Sequence, residues 1–397
     1  MIKTTVEQEV LALCKNLIAA QSYSGEEAAV VQVIKQYAEQ EVFDDIVIDE
    51  YGSILLIING TLPGPTILFD GHIDTVPVRE EQWTVPPFEG IVKDGKLYGR
   101  GTSDMKGAVA ATIVGACLFA EKTKKQFPGR IVVSCSVQEE LFEGVATRII
   151  SKRFQPDVVV IVEATNLNIN RGQRGRAEIV IEVFGKNAHA ANPEKGINAV
   201  YKMNKLLTKL QQLEVPSHPV LQKAVLELTD IKSFPYPGSS VVPSLCRATF
   251  DRRTLVGETK ASILAPIEQL IAELKAEDQA FDAKVSFANA ENACYTGEVI
   301  GGERFYPAWL YEDDEAFVQA PLKALQQQGF SSQLSHYSFC TNGSHFAGEE
   351  GIPTIGFGPS YEHLAHIDDE YIEVEQLVKA TEGYVIVMES LTKLTKY

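Results

Sequence analysis

Thr66-Ile67-Leu68-Phe69-Asp70-Gly71-His72-Ile73-Asp74-Thr75-Val76-Pro77 runs from a strand-like apolar stretch straight into a histidine flanked by carboxylates. The chain then repeats this plan. Lys106 to Ala120, rich in Ala and Val, reads as a buried helix beginning just after Asp104, and Ile131 to Val137 reads as a strand ending at Glu139-Glu140. A helix from about Gly144 to Arg153 and a strand Val158 to Val162, ending at Glu163, continue the alternation. This is βαβ grammar and predicts a mainly parallel sheet. In such a sheet the loops that follow the strands open at one carboxyl edge, where open α/β folds hold their ligands. His72, Asp104, Glu139, Glu140 and Glu163 are expected to converge there.

Outward from this centre, Val6 to Ala20 has helical periodicity, and Ser24-Gly25-Glu26-Glu27 reads as a capping box opening a helix through about Gln40. Strands Ile46 to Asp49 and Ile54 to Ile58 follow. From Arg176 the pattern changes to strand Ala177 to Phe184, helix Ile197 to Leu213, strands Ala224 to Ile231 and Cys246 to Asp251, helix Lys260 to Leu274 and strand Lys284 to Ala288. That order, β-α-β-β-α-β, is ferredoxin-like. The fold class is therefore α/β, with residues 1–175 and 296–397 expected to form a metal-binding catalytic domain and 176–295 an inserted α+β lid. Helix Glu315 to Gln327, the run Ala365-His366-Ile367-Asp368-Asp369-Glu370 and a last helix Val374 to Leu394 complete the outer domain.

The formal charge of −17 over 397 residues argues against a nucleic-acid partner or an anionic membrane surface, either of which wants a basic patch. No apolar run approaches the roughly 20 residues that span a bilayer, and Met1 to Gln8 has no apolar signal core, so a cytoplasmic location is expected. The six cysteines, Cys14, Cys117, Cys135, Cys246, Cys294 and Cys340, lack paired spacing and read as buried reduced thiols. Any metal must then be held by oxygen and nitrogen. The sequons at Asn59 and Asn342 read as turns. Gly99 to Gly107 lacks the order of a phosphate-binding loop, and no Gly-X-Ser-X-Gly elbow occurs.

Histidine nitrogen with carboxylate oxygen suits zinc, and also cobalt, manganese or nickel. Two histidines, His72 and His366, with three or four carboxylates exceed the needs of one zinc. They suit two divalent ions about 3.5–4 Å apart that share a carboxylate and a water. Of the adjacent Glu139 and Glu140, one can ligate while the other addresses that water as general base. Asp74, two residues beyond His72 on extended chain, is expected to face the same way and to accept the second imidazole proton.

These motifs, His72-Ile73-Asp74, Gly99-Arg100-Gly101 through Asp104-Met105-Lys106-Gly107, Glu139-Glu140, Glu163 and Ala365-His366, resemble in order those of the co-catalytic zinc aminoacylase and carboxypeptidase superfamily, which includes acetylornithine deacetylase and succinyl-diaminopimelate desuccinylase. The runs Phe69 to Pro77, Cys340 to Ser344 and Gly356-Phe357-Gly358-Pro359 resemble its hydrolase branch linked to selenium metabolism. The resemblance implies that His72 and Glu163 hold one metal, Glu140 and His366 the other, that Asp104 bridges them, and that Glu139 is the base. It further implies that His189 is an oxyanion donor, although Ala190-Ala191 stand where serines are usual. Arg253, with Arg252 an equal candidate by alternation, and the loop Asn342-Gly343-Ser344 resemble positions that grip a substrate carboxylate. The implied activity is cleavage of the amide bond of an N-acyl amino acid or short peptide bearing a carboxylate, by a homodimer joined through the lid. A carbamoyl or ureido amidohydrolase acting on a purine breakdown product, and a scaffold without catalysis, are the alternatives.

Overall fold

The computed structural model of the chain describes residues 5–394. The chain divides into two compact units. The larger runs to Gln173 and resumes at Glu291–Gly301 and again from Trp309; the smaller comprises Arg174–Ala290 and Gly302–Ala308. The passage between them differs from the expected border at 295. Tyr295 donates its hydroxyl to Gly52 O at 2.8 Å, which ties that stretch to the larger unit, whereas Phe305–Tyr306 pairs with Gly175–Phe184 in the smaller.

The larger unit is built on a nine-stranded sheet whose four middle strands, Pro128–Ser136, Leu62–His72, Val158–Ile161 and Thr354–Gly356, are parallel. Asp45–Ile48 and Ile54–Asn59 add antiparallel strands on one side; Ile169–Gln173, carrying Trp309–Leu310 and Leu334–Tyr337, closes the other. The middle strands read as unbroken β-branched runs because they are covered on both faces. Helix Lys106–Thr123 is buried almost all round, which explains its lack of a polar face. It packs against Val374–Leu391 so closely that a Cβ at Gly115 would stand 3.0 Å from Thr381 O. The short strands Ile169–Gln173, Leu334–Tyr337 and Thr354–Gly356 were not legible in the sequence, being too brief to show a period.

The expected capping box at Ser24 does not form. The helix begins at Ala28, its N-terminal flank Glu27 makes no side-chain cap, and Ser24 Oγ donates instead to Asp74 Oδ2 at 2.7 Å. A three-stranded ribbon of Ile91–Lys93, Lys96–Tyr98 and Tyr371–Glu373 brings the chain after His366 beside Gly99.

The smaller unit is an antiparallel sheet in the order Val225–Phe234, Leu245–Thr254, Gly175–Phe184, Asp282–Phe287, with helices Ala199–Leu210 and Lys260–Glu277 packed on one face. The chain order is the ferredoxin-like one. Along Leu245–Thr254 every second residue is buried, so Arg252 points to the helix-covered face and Arg253 to the other. All six cysteines are buried thiols outside any disulfide, and among the described residues no helix is long and apolar enough to cross a membrane.

Candidate metal centre

Sheet register brings the site together. His72 closes its strand opposite Ser136, and Asp70 stands opposite Ile161. The chain leaving the two neighbouring strands, to Glu139-Glu140 on one side and Glu163 on the other, therefore emerges level with His72. His72 Nε2 lies 2.9 Å from Asp104 Oδ1 and 3.3 Å from Glu163 Oε1. His366 Nε2 lies 3.1 Å from Asp104 Oδ2 and 3.0 Å from Glu140 Oε2. In each trio the ligand atoms lie within 4.8 Å of one another, and Asp104 belongs to both, one oxygen to each histidine. Glu139 lies beside the first trio, with Oε2 at 3.9 Å from His72 Nε2 and Oε1 buried without a hydrogen-bond partner. His366 is the open member, its side chain 54% exposed against 1% for His72.

Asp74 faces His72 with two of its oxygens. The nearest partner of His72 Nδ1 is the Asp74 backbone carbonyl at 2.9 Å, with the carboxylate Oδ1 at 3.5 Å. A carbonyl can only accept, so Nδ1 carries the proton and Nε2 is left as the ligand nitrogen. The Asp74 carboxylate also accepts the N–H groups of Glu139 and Glu140, each at 3.1 Å, and the Ser24 hydroxyl.

Asp104 is held from behind by Glu370, a residue to which no local pattern in the sequence gives a role. Its carboxylate accepts from the N–H groups of Gly101, Ser103 and Asp104 at 2.7–3.0 Å and from Arg100 Nη1 at 2.7 Å. The run Asp368-Asp369-Glu370 offers three carboxylates, and only the ribbon pairing decides which turns inward.

Burial pushes the Glu139 carboxyl well up, and the neighbouring Glu163, Glu143 and Glu140 add to it against the pull of His72. Glu140 is pushed up to about 7 by burial and by Asp104. His366 rises to about 10 through its hydrogen bonds to Asp104 and Glu140. For His72, burial pulls downward, yet Asp104, Asp74 and Glu163 outweigh it and hold the imidazole well above its usual value. So many buried carboxylates facing two imidazoles are mutually costly unless cations lie among them. The donor set, nitrogen and oxygen with a shared Asp104 and the unpartnered Glu139 oxygen, fits two divalent metals.

The expected substrate contacts are occupied within the fold. Asn342 Nδ2 donates to Asp70 and Ser136 at 2.8 and 2.9 Å, and its Oδ1 accepts from Gly144 N at 2.7 Å. Ser344 Oγ accepts from Gln173 at 3.0 Å, and the amides of Gly343 and Ser344 both donate to Thr341. In this structure the loop thus braces the sheet edge. In the smaller unit, His189 is exposed, with Nδ1 accepting from Ala191 N at 3.0 Å. Arg253 pairs with Asp251 at 2.7 Å and Arg252 with Glu258. His345, sequence-adjacent to the loop, bridges Ser151 and Glu349 at 2.6 and 2.8 Å.

The chain is 33% identical over 388 residues to the Escherichia coli K12 protein YgeY, itself uncharacterized, covering 96% of this chain and 94% of that one. It is 29% identical over 343 residues to the succinyl-diaminopimelate desuccinylase of Methylobacterium radiotolerans, covering 82% and 81%. The YXEP protein of Bacillus subtilis, described as a dinuclear metal binding peptidase, shares the fold at a TM-score of 0.71 and 16% identity over 98% of this chain and 99% of that one. The model of peptidase family M20/M25/M40 matches residues 68–390, and the chain is a hydrolase belonging to that family.

Proposed function

We propose that the protein is a two-metal amidohydrolase that cleaves the amide bond of an N-acyl amino acid or short peptide carrying a free carboxylate. The observation that carries this reading is Asp104, with one oxygen toward each histidine, beside a Glu139 carboxylate that has a buried, unpartnered oxygen. His72 and Glu163 would hold one ion, Glu140 and His366 the other, and Asp104 both. Zinc suits these donors best, with cobalt or manganese as substitutes. When bound, such a pair polarises a carbonyl and acidifies a shared water.

Glu139 then takes a proton from the water and returns it to the leaving nitrogen. Asp74, by holding the amides of Glu139 and Glu140, keeps base and ligand in one rigid turn. His189 is assigned the role of oxyanion donor and Arg253 that of carboxylate partner on chemical type. A homodimer through the smaller unit is supported by its edge strand Val225–Phe234, which leaves Leu228, Ile231 and Phe234 exposed.

The test is metal analysis of the purified protein, followed by assay of the zinc-loaded sample on N-acyl amino acids, dipeptides and ureido acids with Glu139→Gln as control. Two metals per chain and turnover that vanishes in Glu139→Gln are expected. Absence of tight metal, or turnover undiminished in Glu139→Gln, rejects the reading; ureido acids as the only substrates would replace the acyl substrate class.

A further inference from the structure

Gln138, the residue before Glu139, is fully buried and sits in the left-handed region at φ 62°. A residue with a Cβ gives up about 1–2 kcal/mol there, so surrounding contacts must hold it. Its N–H donates to Glu27 Oε1 at 3.1 Å, an oxygen that also accepts Gly25 N at 2.9 Å. Its side-chain Oε1 accepts from Asn292 Nδ2 at 3.0 Å, and its Nε2 donates to Ala293 O at 3.0 Å. Gly25 makes the room for this: at φ 93° it has no Cβ, and one placed there would stand 2.6 Å from Ala293 O and 3.2 Å from Asn292 Nδ2. Two sequence-distant segments thus clamp Gln138, while Asp74 clamps the two amides that follow it.

Glu139 Oε1 has no hydrogen bond of its own to fix it, so the turn that carries the residue sets where the side chain starts from. We infer that Asn292, acting through Gln138, is a positioning residue for the Glu139 carboxylate. The clamp keeps Gln138 left-handed and so holds the Glu139 carboxylate beside His72. This rests on Glu139 being the general base. Asn292 touches none of the proposed ligands, so its loss should misdirect the base without emptying the metal sites. A misplacement of the order of 1 Å is enough to cost ten- to a hundredfold in rate.

The experiment compares Asn292→Ala, Gln138→Gly, which keeps the left-handed turn accessible, their double variant and Glu139→Gln, all as zinc-loaded full chains on N-acetyl amino acids and dipeptides. Each single variant should lower kcat about tenfold with KM within about twofold and two metals retained. The double should fall well short of the product of the singles, because the Asn292–Gln138 bond is lost in each of them. Independently of substrate, hydrogen exchange of the amides at 137–142 in the metal-free protein should quicken in Asn292→Ala. Unchanged kcat and exchange in Asn292→Ala, KM rising in step with lost rate, metal loss, or effects that multiply in the double would overturn the inference. If Glu139→Gln is inactive while Asn292→Ala keeps full kcat, the inference alone fails. Activity in Glu139→Gln, or no turnover by the unaltered protein, removes the reading beneath it as well.

Discussion

Asp74 Oδ1 accepts the backbone N–H of Glu139 at 3.1 Å, which makes the carboxylate beside the first histidine a brace for the proposed base rather than the main partner of the imidazole. Asp74 Oδ2 does the same for Glu140, so one buried side chain sets two functional residues. Asp74→Asn would turn an amide donor against one of those N–H groups. The expected result is a fall in kcat of about 10–100-fold, the range seen when groups that orient metal ligands are lost, with metal binding weakened less than by His72→Ala. Steady-state kinetics with metal titration on both variants would show it. Wild-type kcat in Asp74→Asn would mean the brace is dispensable.

Glu370 is completely buried and paired with Arg100. Glu370→Ala leaves that guanidinium uncompensated and frees three loop amides. A loss of about 3–5 kcal/mol is expected. Urea unfolding of the metal-free protein reads it as a lowered midpoint, and metal titration should show weakened binding because the Asp104 loop slackens. A midpoint equal to that of the unaltered protein is the contrary result.

Glu27 predicts an inverted pH effect. Burial, reinforced by Asp74, pushes its carboxyl from 4.5 up to about 7. Between those values the folded state keeps a proton that the unfolded chain has lost, so stability falls as pH rises through the window. Glu27→Gln keeps an acceptor for the Gly25 and Gln138 amides but cannot ionise. The drop in unfolding free energy between pH 4.5 and pH 8 should therefore shrink by about 3 kcal/mol. Unfolding curves of the two proteins at both pH values decide it, and an unaltered pH difference counts against the raised carboxyl.

Metal removal should act on stability as well as turnover. Chelation is expected to abolish hydrolysis, and restoring zinc at a thousandfold above its Kd should stabilise the fold by about 4 kcal/mol, since the unfolded chain does not assemble the site. Calorimetry of chelated and reloaded protein measures this. Identical unfolding temperatures would show that the carboxylate cluster folds without cations.

The sequence by itself determined the βαβ core, the β-α-β-β-α-β order of the smaller unit and the family. These rest on periodicity, strand length and the order of short motifs, all of them local. His72, Glu139-Glu140 and Glu163 were legible as strand-end residues because parallel strands must deliver their following loops to one edge. Tertiary structure decided what each polar atom faces. Only sheet register puts the Asp74 carboxylate under the Glu139 and Glu140 amides; only the ribbon with Tyr371–Glu373 turns Glu370, and not Asp368 or Asp369, behind Asp104. Ser24 looked like a helix cap because its local spacing allows one, and a partner 50 residues away took its hydroxyl instead. Burial obliges the polar atoms of Asn342 and Ser344 to find partners inside the fold, and these come from segments far along the chain that the local sequence does not name.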